Sequence, residues 1–245
     1  MRDQYAGDVS DLLKFGFLRA LAGTDRTLGV AWYYAPGDDG RPDGRHVEWR
    51  DEAAWRHVDA SLHAGLSTIP SRSIAALEQA AIWPNGALFH REPMPSRAER
   101  GTWGARKRKA LEGADIVFLD PDNGVGAESS KHATFSEIRL LRRPGRAVVF
   151  ITFPSKGKKH DEQLNQLHER LRTETDAREI ATLRTNVSVP RGDGSPYLVQ
   201  RQRWFTVVDY STELIARAEA FVAATSTVPR VRVRLDGVTD RRCWP

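Results

Sequence analysis

Asp120-Pro121-Asp122-Asn123-Gly124 places two carboxylates, a carboxamide and a flexible glycine at the end of the apolar run Ile116–Leu119. An acid closing a buried strand, with a second acid just beyond it, can orient or deprotonate water. Asp122 lies past the strand end and is the better placed for water, whereas Asp120 fixes the loop or shares the work. Asn123 offers both a donor and an acceptor. These residue types also make turns, but a turn alone does not require an acid still on the strand.

Three further groups bear on the same chemistry. In the opening stretch Tyr5, Asp8 and Lys14 are substrate-binding candidates: Tyr5 can stack on a base and Lys14 can meet a phosphate or a carboxylate, while Asp8 or Ser10 also suits a helix N-cap. Trp32-Tyr33-Tyr34 runs into a polar loop holding Asp38, Asp39, Asp43, Arg45 and His46. Trp32 and Tyr34 there resemble a stacking platform, and His46 is a substrate-binding candidate beside them. Basic residues cluster at Arg106-Lys107-Arg108-Lys109, at Lys156, Lys158 and Lys159, and at Arg201 and Arg203. Lys156, Lys158 and Lys159 follow a strand ending at Phe153, on the rim expected for Asp120, where they could hold a phosphate backbone. The helical cluster with Arg106 and Lys107 reads as a solvated face or a DNA contact.

Positioning these groups requires a sheet. Strand runs are expected at 28–34, 87–90, 116–120, 147–153, 180–185, 204–209 and 231–235, interleaved with helical patterns at 8–22, 53–63, 73–80, 100–111, 135–141, 161–171 and 212–223. Alternation of this kind predicts an α/β fold: a mostly parallel, doubly wound, Rossmann-like sheet of about seven strands with helices on both faces. The runs IVFLD, AVVFITF and WFTVVD are apolar almost throughout, as strands buried on both faces are. Ligands of such sheets bind at the carboxyl ends of the strands. A single domain over 1–245 is expected, with loop insertions near 36–50 and 188–202. The segments PGDDGRPDG and PRGDGSP within them read as mobile loops. The Arg-rich stretch from Arg230 to Arg242 is either an edge strand or a phosphate contact.

The chain has 245 residues, with 37 Lys and Arg against 32 Asp and Glu, for a net charge of +5. The basic balance favours a polyanionic partner such as DNA or RNA. A single cysteine, Cys243, gives no disulfide and no zinc framework. No run reaches the ~18–20 apolar residues of a membrane helix, and the N-terminus lacks the apolar core of a secretory signal, so a cytoplasmic protein is expected. There is no GxxxxGK[ST], HExxH or GxSxG motif, and no strand leads into GxGxxG. No cofactor, metal or obligate protein partner is expected.

YAGDVSDLLK at 5–14, with an aspartate–proline motif closing a middle strand, resembles the J-type adenine-N6 methyltransferases of large-subunit ribosomal RNA. That family carries HAGN…DVLKH and DPPY; here DPDN replaces DPPY, and GVAWYYAPGDDG stands where its glycine-rich cofactor loop would be. The resemblance implies a methyltransferase-like sheet. The combined YAGD…DPDNG pattern, the size and the basic balance also resemble a bacterial anti-phage DNA glycosylase family that removes glucosylated hydroxymethylcytosine. VFLDPDNG is similar as well to the strand-then-DPYHG motif of uracil-DNA glycosylases.

The glycosylase resemblance implies base excision from double-stranded or locally unpaired phage DNA, leaving abasic sites, in antiviral defence, with Asp120 and Asp122 stabilising an oxocarbenium ion and activating water and Asn123 meeting the edge of a flipped base. Alternatives are a metal-dependent nuclease using Asp120, Asp122 and Glu137, a methyltransferase with an altered cofactor pocket, and a nucleic-acid binder whose chemistry has decayed.

Overall fold

The apolar runs become seven strands: β1 (Leu28–Trp32), β2 (Leu88–His90), β3 (Ile116–Asp120), β4 (Ala147–Thr152), β5 (Ile180–Pro190), β6 (Leu198–Val208) and β7 (Val231–Asp236). The computed structural model describes residues 1–37, 40, 46–190 and 197–238. One sheet holds the strands in the order β2-β1-β3-β4-β6-β5-β7. β1 to β4 pair in parallel, whereas β6 runs antiparallel to both β4 and β5, and β7 antiparallel to β5. Parallel neighbours need crossover helices and antiparallel ones do not, and the helices are spaced accordingly.

The helices are α1 (Val9–Ala22), α2 (Ala60–Ser67), α3 (Ile74–Gln79), α4 (Arg100–Ala110), α5 (Phe135–Leu141), α6 (His160–Thr175) and α7 (Thr212–Thr225). One sheet face sets Val30, Phe118, Val149 and Phe205 against α1, α2 and α7; the other sets Val117, Leu119 and Phe150 against α4, α5 and α6. The architecture is α/β and Rossmann-like, with helices on both faces of the sheet. β3 is buried throughout and β4 at every position but its last, as their uninterrupted apolar sequences require.

The structure departs from the sequence reading in two places and chooses between its alternatives in a third. Among the described residues of the loop expected near 188–202, 188–190 and 198–202 are strand, because β5 and β6 continue as a ladder out to Pro190 opposite Leu198. Buried Val187 and Val189 alternate there with half-exposed Asn186 and Ser188, the period of a strand with one face open. The expected helix at 53–63 is divided into a short 3-10 turn and α2, because Asp59 accepts a hydrogen bond from the Leu62 backbone (2.9 Å) and caps a new helix. The first part of the Arg-rich terminal stretch is the edge strand β7, where Asp236 pairs with Arg184 of β5. Residues 38, 39, 41–45, 191–196 and 239–245 lie outside the described residues, and with them Asp38, Asp39, Asp43, Arg45 and Cys243. Among the described residues no helix is long and apolar enough to cross a membrane.

Candidate active-site cleft

The carboxyl ends of β3 and β4 open into a cavity of about 270 Å³ that also receives the N-terminal turns of α1 and residues of β6. Asp120 follows Phe118 on the pleat, so its side chain emerges on the α1 face. There Lys14 Nζ lies 3.0 Å from Asp120 Oδ2 and 2.6 Å from Asp11 Oδ1. Asp11 also accepts a hydrogen bond from the Gly7 backbone (2.8 Å). Burial raises the Asp11 carboxyl to about 6, with the neighbouring Asp120 charge adding to the rise and Lys14 opposing it. Burial alone would lower the Lys14 ammonium, but the two aspartates outweigh it and hold its pKa up.

Beyond β3 the chain must turn back over β4 to present Asp122 and Asn123. Gly124 allows this with φ +90°, and a Cβ there would fall only 3.0 Å from Thr152 Cα. The loop is braced by Asn123 N donating to Lys131 O (2.8 Å) and Ala133 N to Gly124 O (3.0 Å). The Met1 amino group lies 2.5 Å from Asp122 Oδ1 and 2.6 Å from the Tyr33 carbonyl oxygen. The Asp122 side chain is 16% exposed against 5% for Asp120, so Asp122 is the acid that incoming water meets.

On the opposite wall, Arg203 lies over the Phe153 ring (4.7 Å), and Arg201 Nε approaches His46 Nε2 at 3.3 Å. Both arginines, Phe153, Tyr5 and His46 line the cavity. The result is a small polar chamber with acids at its base, arginines at its side and two aromatic rings, Tyr5 and Phe153. Its volume is below the ~300–1,000 Å³ of pockets for drug-sized ligands, which suits one base or one sugar.

Of the residues singled out from sequence, Tyr5, Asp8, Lys14, His46, Asp120, Asp122, Asn123 and Arg203 meet at this cavity. Two of them have other work. Asp8 caps α1 through Ser10 N (2.9 Å) and holds His46 N (3.1 Å), so its oxygens are committed to backbone. Lys14 is buried between carboxylates and positions Asp120 instead of holding substrate.

The remaining candidates lie elsewhere. Trp32 is fully buried, packed edge-on to Phe15, and donates Nε1–H to Glu78 (2.8 Å); it is core and not a stacking platform. Tyr34 donates its hydroxyl to Asp3 (2.9 Å), away from the cavity. Lys107 cannot touch DNA: it is 1% exposed, between the Tyr33 hydroxyl (2.9 Å) and Glu137 (3.3 Å). Arg106, on the same helix, is exposed and paired with Glu92 (2.7 Å). Lys156, Lys158 and Lys159 are exposed between β4 and α6 but do not line the cavity, and Lys159 pairs with Glu162 (3.2 Å). Glu137 sits with Lys107 and Arg100 on the other face of the sheet, so a metal centre of Asp120, Asp122 and Glu137 is not assembled.

Sequence reasoning overlooked Asp11 and Phe153. Asp11 was detectable: three residues before Lys14 on a helix, it must share that lysine's face. Phe153 read only as the last apolar residue of a strand.

No family model matches the chain, and no curated protein sequence matches it. Among solved structures it is similar to a Legionella pneumophila protein of family DUF519, at 10% identity over 95% of this chain and 98% of that one, with a TM-score of 0.49. It is also similar to a precorrin-6y C5,15-methyltransferase from Geobacter metallireducens, at 9% identity over 80% and 86%, with a TM-score of 0.36.

Proposed function

We propose that the cleft hydrolyses the N-glycosidic bond of a nucleotide drawn out of DNA, so that the protein is a DNA glycosylase. The observation that carries this reading is the convergence of Asp120 and Asp122 with Arg201, Arg203, Tyr5 and Phe153 on one cavity of about 270 Å³. Tyr5 and Phe153 sandwich or flank the base, and the arginines hold the phosphates on either side of it. Asp120, fixed by Lys14, lies under the sugar and stabilises the cationic carbon as the base departs. Asp122 takes a proton from water as the water oxygen bonds to C1′. The C1′–N bond breaks, its electron pair leaves with the base, and the base then gains a proton. Asn123 pairs with the base edge. The resemblance described above directs the reading to a modified cytosine in phage DNA and to a role in defence.

The test is to incubate the protein with modified and unmodified phage DNA and analyse the small-molecule fraction by mass spectrometry. Free base with alkali-labile abasic sites is expected, and Asp122→Asn should bind the same DNA yet release none. Nicked or methylated DNA without free base would overturn the reading. Undiminished release by the variant would remove Asp122 from the chemistry.

A further inference from the structure

Arg50 lies in a short 3-10 turn (Glu48–Asp51) with its guanidinium carbon 5.7 Å from the Trp49 ring centre. Its Nε and Nη2 atoms are buried and have no hydrogen-bond partner. A buried cationic donor without an acceptor is a standing cost that an anion removes. Arg50 makes no ion pair among the described residues, although Asp51 is its chain neighbour.

A second arginine converges on the same turn. Arg72 Nε donates to the Ala6 carbonyl (2.9 Å), while Arg50 Nη2 lies 2.7 Å from where a Cβ on the adjacent Gly7 would stand. Gly7 has φ +75° and no side chain, which leaves Arg50 room against the backbone. Burial first, and then the Arg72 charge, push the Arg50 guanidinium below its ordinary pKa, so Arg72 and burial both act against its charge. Two guanidinium groups around one backbone turn, with the Nε and Nη2 donors of Arg50 unsatisfied, fit a phosphate better than a single carboxylate.

We propose that Arg50 and Arg72 form a phosphate site on the Ala6–Gly7 turn, taking a backbone phosphate of the strand whose nucleotide enters the cleft. The turn lies in the chain between Tyr5 and Asp8, which line the cleft. Three residues span at most roughly 11 Å, within reach of a phosphate near the extruded nucleotide. The strand as its source rests on the DNA reading above; the phosphate chemistry does not.

The test measures single-stranded DNA affinity across a salt series for the wild-type protein, Arg50→Gln and Arg72→Gln, beside a titration of inorganic phosphate followed at the Arg50 Nε–H NMR signal. Losing one phosphate contact should weaken binding and reduce the salt slope by about 0.7. Phosphate should shift the Arg50 signal in the wild type. Unchanged slopes in both variants, with melting profiles intact, overturn the strand contact, and an unmoved Arg50 signal as well overturns the site. A phosphate-induced shift with unchanged slopes assigns the site to a free phosphate and likewise overturns the strand contact. A reduced slope from protein that releases no base leaves this site standing and sinks the glycosylase reading alone. Base release with unchanged slopes does the reverse.

Discussion

Lys14 Nζ stands 3.0 Å from Asp120 Oδ2 inside the protein, with neither side chain more than 5% exposed. The acid at the end of the central strand therefore reaches the cleft with its countercharge supplied by a helix that packs on the same sheet face. Because Lys14 also serves Asp11, the three groups together carry one net negative charge in a buried place. Burial raises the Asp11 carboxyl and the Asp120 charge adds to the rise, while the two aspartates together hold up the Lys14 ammonium against its own burial.

Lys14→Met should leave two buried carboxylates facing one another without a cation. Removing one member of a buried pair costs about 3–5 kcal/mol. Urea unfolding should show a loss of that order, together with loss of base release. A variant as stable as wild type would mean that the lysine is not neutralising the pair.

Asp11 should leave a mark on stability against pH. Its folded carboxyl titrates at about 6, above its ordinary 3.8, so the folded state favours the protonated form. Stability from this group is complete at the acid end and declines as pH rises toward 6, by roughly 3 kcal/mol at most. Asp11→Asn should flatten the unfolding free energy across that window. A wild-type slope in the variant would assign the titration to another group.

The second buried cluster should respond asymmetrically. Glu137 faces Lys107 (3.3 Å), Arg100 (3.1 Å) and the Tyr33 hydroxyl (2.8 Å). Burial lowers the Lys107 ammonium to about 8 in spite of Glu137. Glu137→Gln strands two cations and should cost about 3–5 kcal/mol. Lys107→Met leaves Glu137 paired with Arg100 (3.1 Å), so no charge loses its last counterion, and it should cost clearly less than Glu137→Gln. DNA affinity should not change in Lys107→Met. Equal losses of stability in the two variants would contradict this arrangement.

How far these clusters were legible depends on what each residue meets. The seven strands could be read because each carries enough β-branched or aromatic residues to announce itself, and the acid at Asp120 stood out against such a run. Trp32 and Lys107 were misread because local sequence does not say what packs on top. Trp32 lies beneath α1 and beside Trp83, and Lys107 lies on the inward side of a helix whose neighbouring Arg106 is exposed. The ladder from β5 to β6 was under-read because polar residues on its open face dilute the apolar signal. Arg50 and Arg72 carry no sequence signal for a shared turn, since only tertiary folding brings both to Ala6 and Gly7.

Gly124 separates loop geometry from stability. Its φ of +90° is unfavourable for any side chain, and a Cβ would meet the Thr152 backbone at 3.0 Å. Gly124→Ala must relieve that contact by lifting the loop that carries Asp122 and Asn123, because β4 is fixed on both sides in the sheet. The backbone strain is about 1–2 kcal/mol, which the fold can bear. The displacement falls instead on Asp122, the acid that the proposed reaction uses to activate water, where a shift of ~1 Å costs on the order of 100-fold in rate. Base release should therefore fall far more than stability does, with DNA affinity kept. Thermal unfolding, salt-dependent binding and single-turnover base release, measured on the same preparation, would show this split. A proportionate loss of all three would place the role of Gly124 in folding, and full release would detach the loop from catalysis.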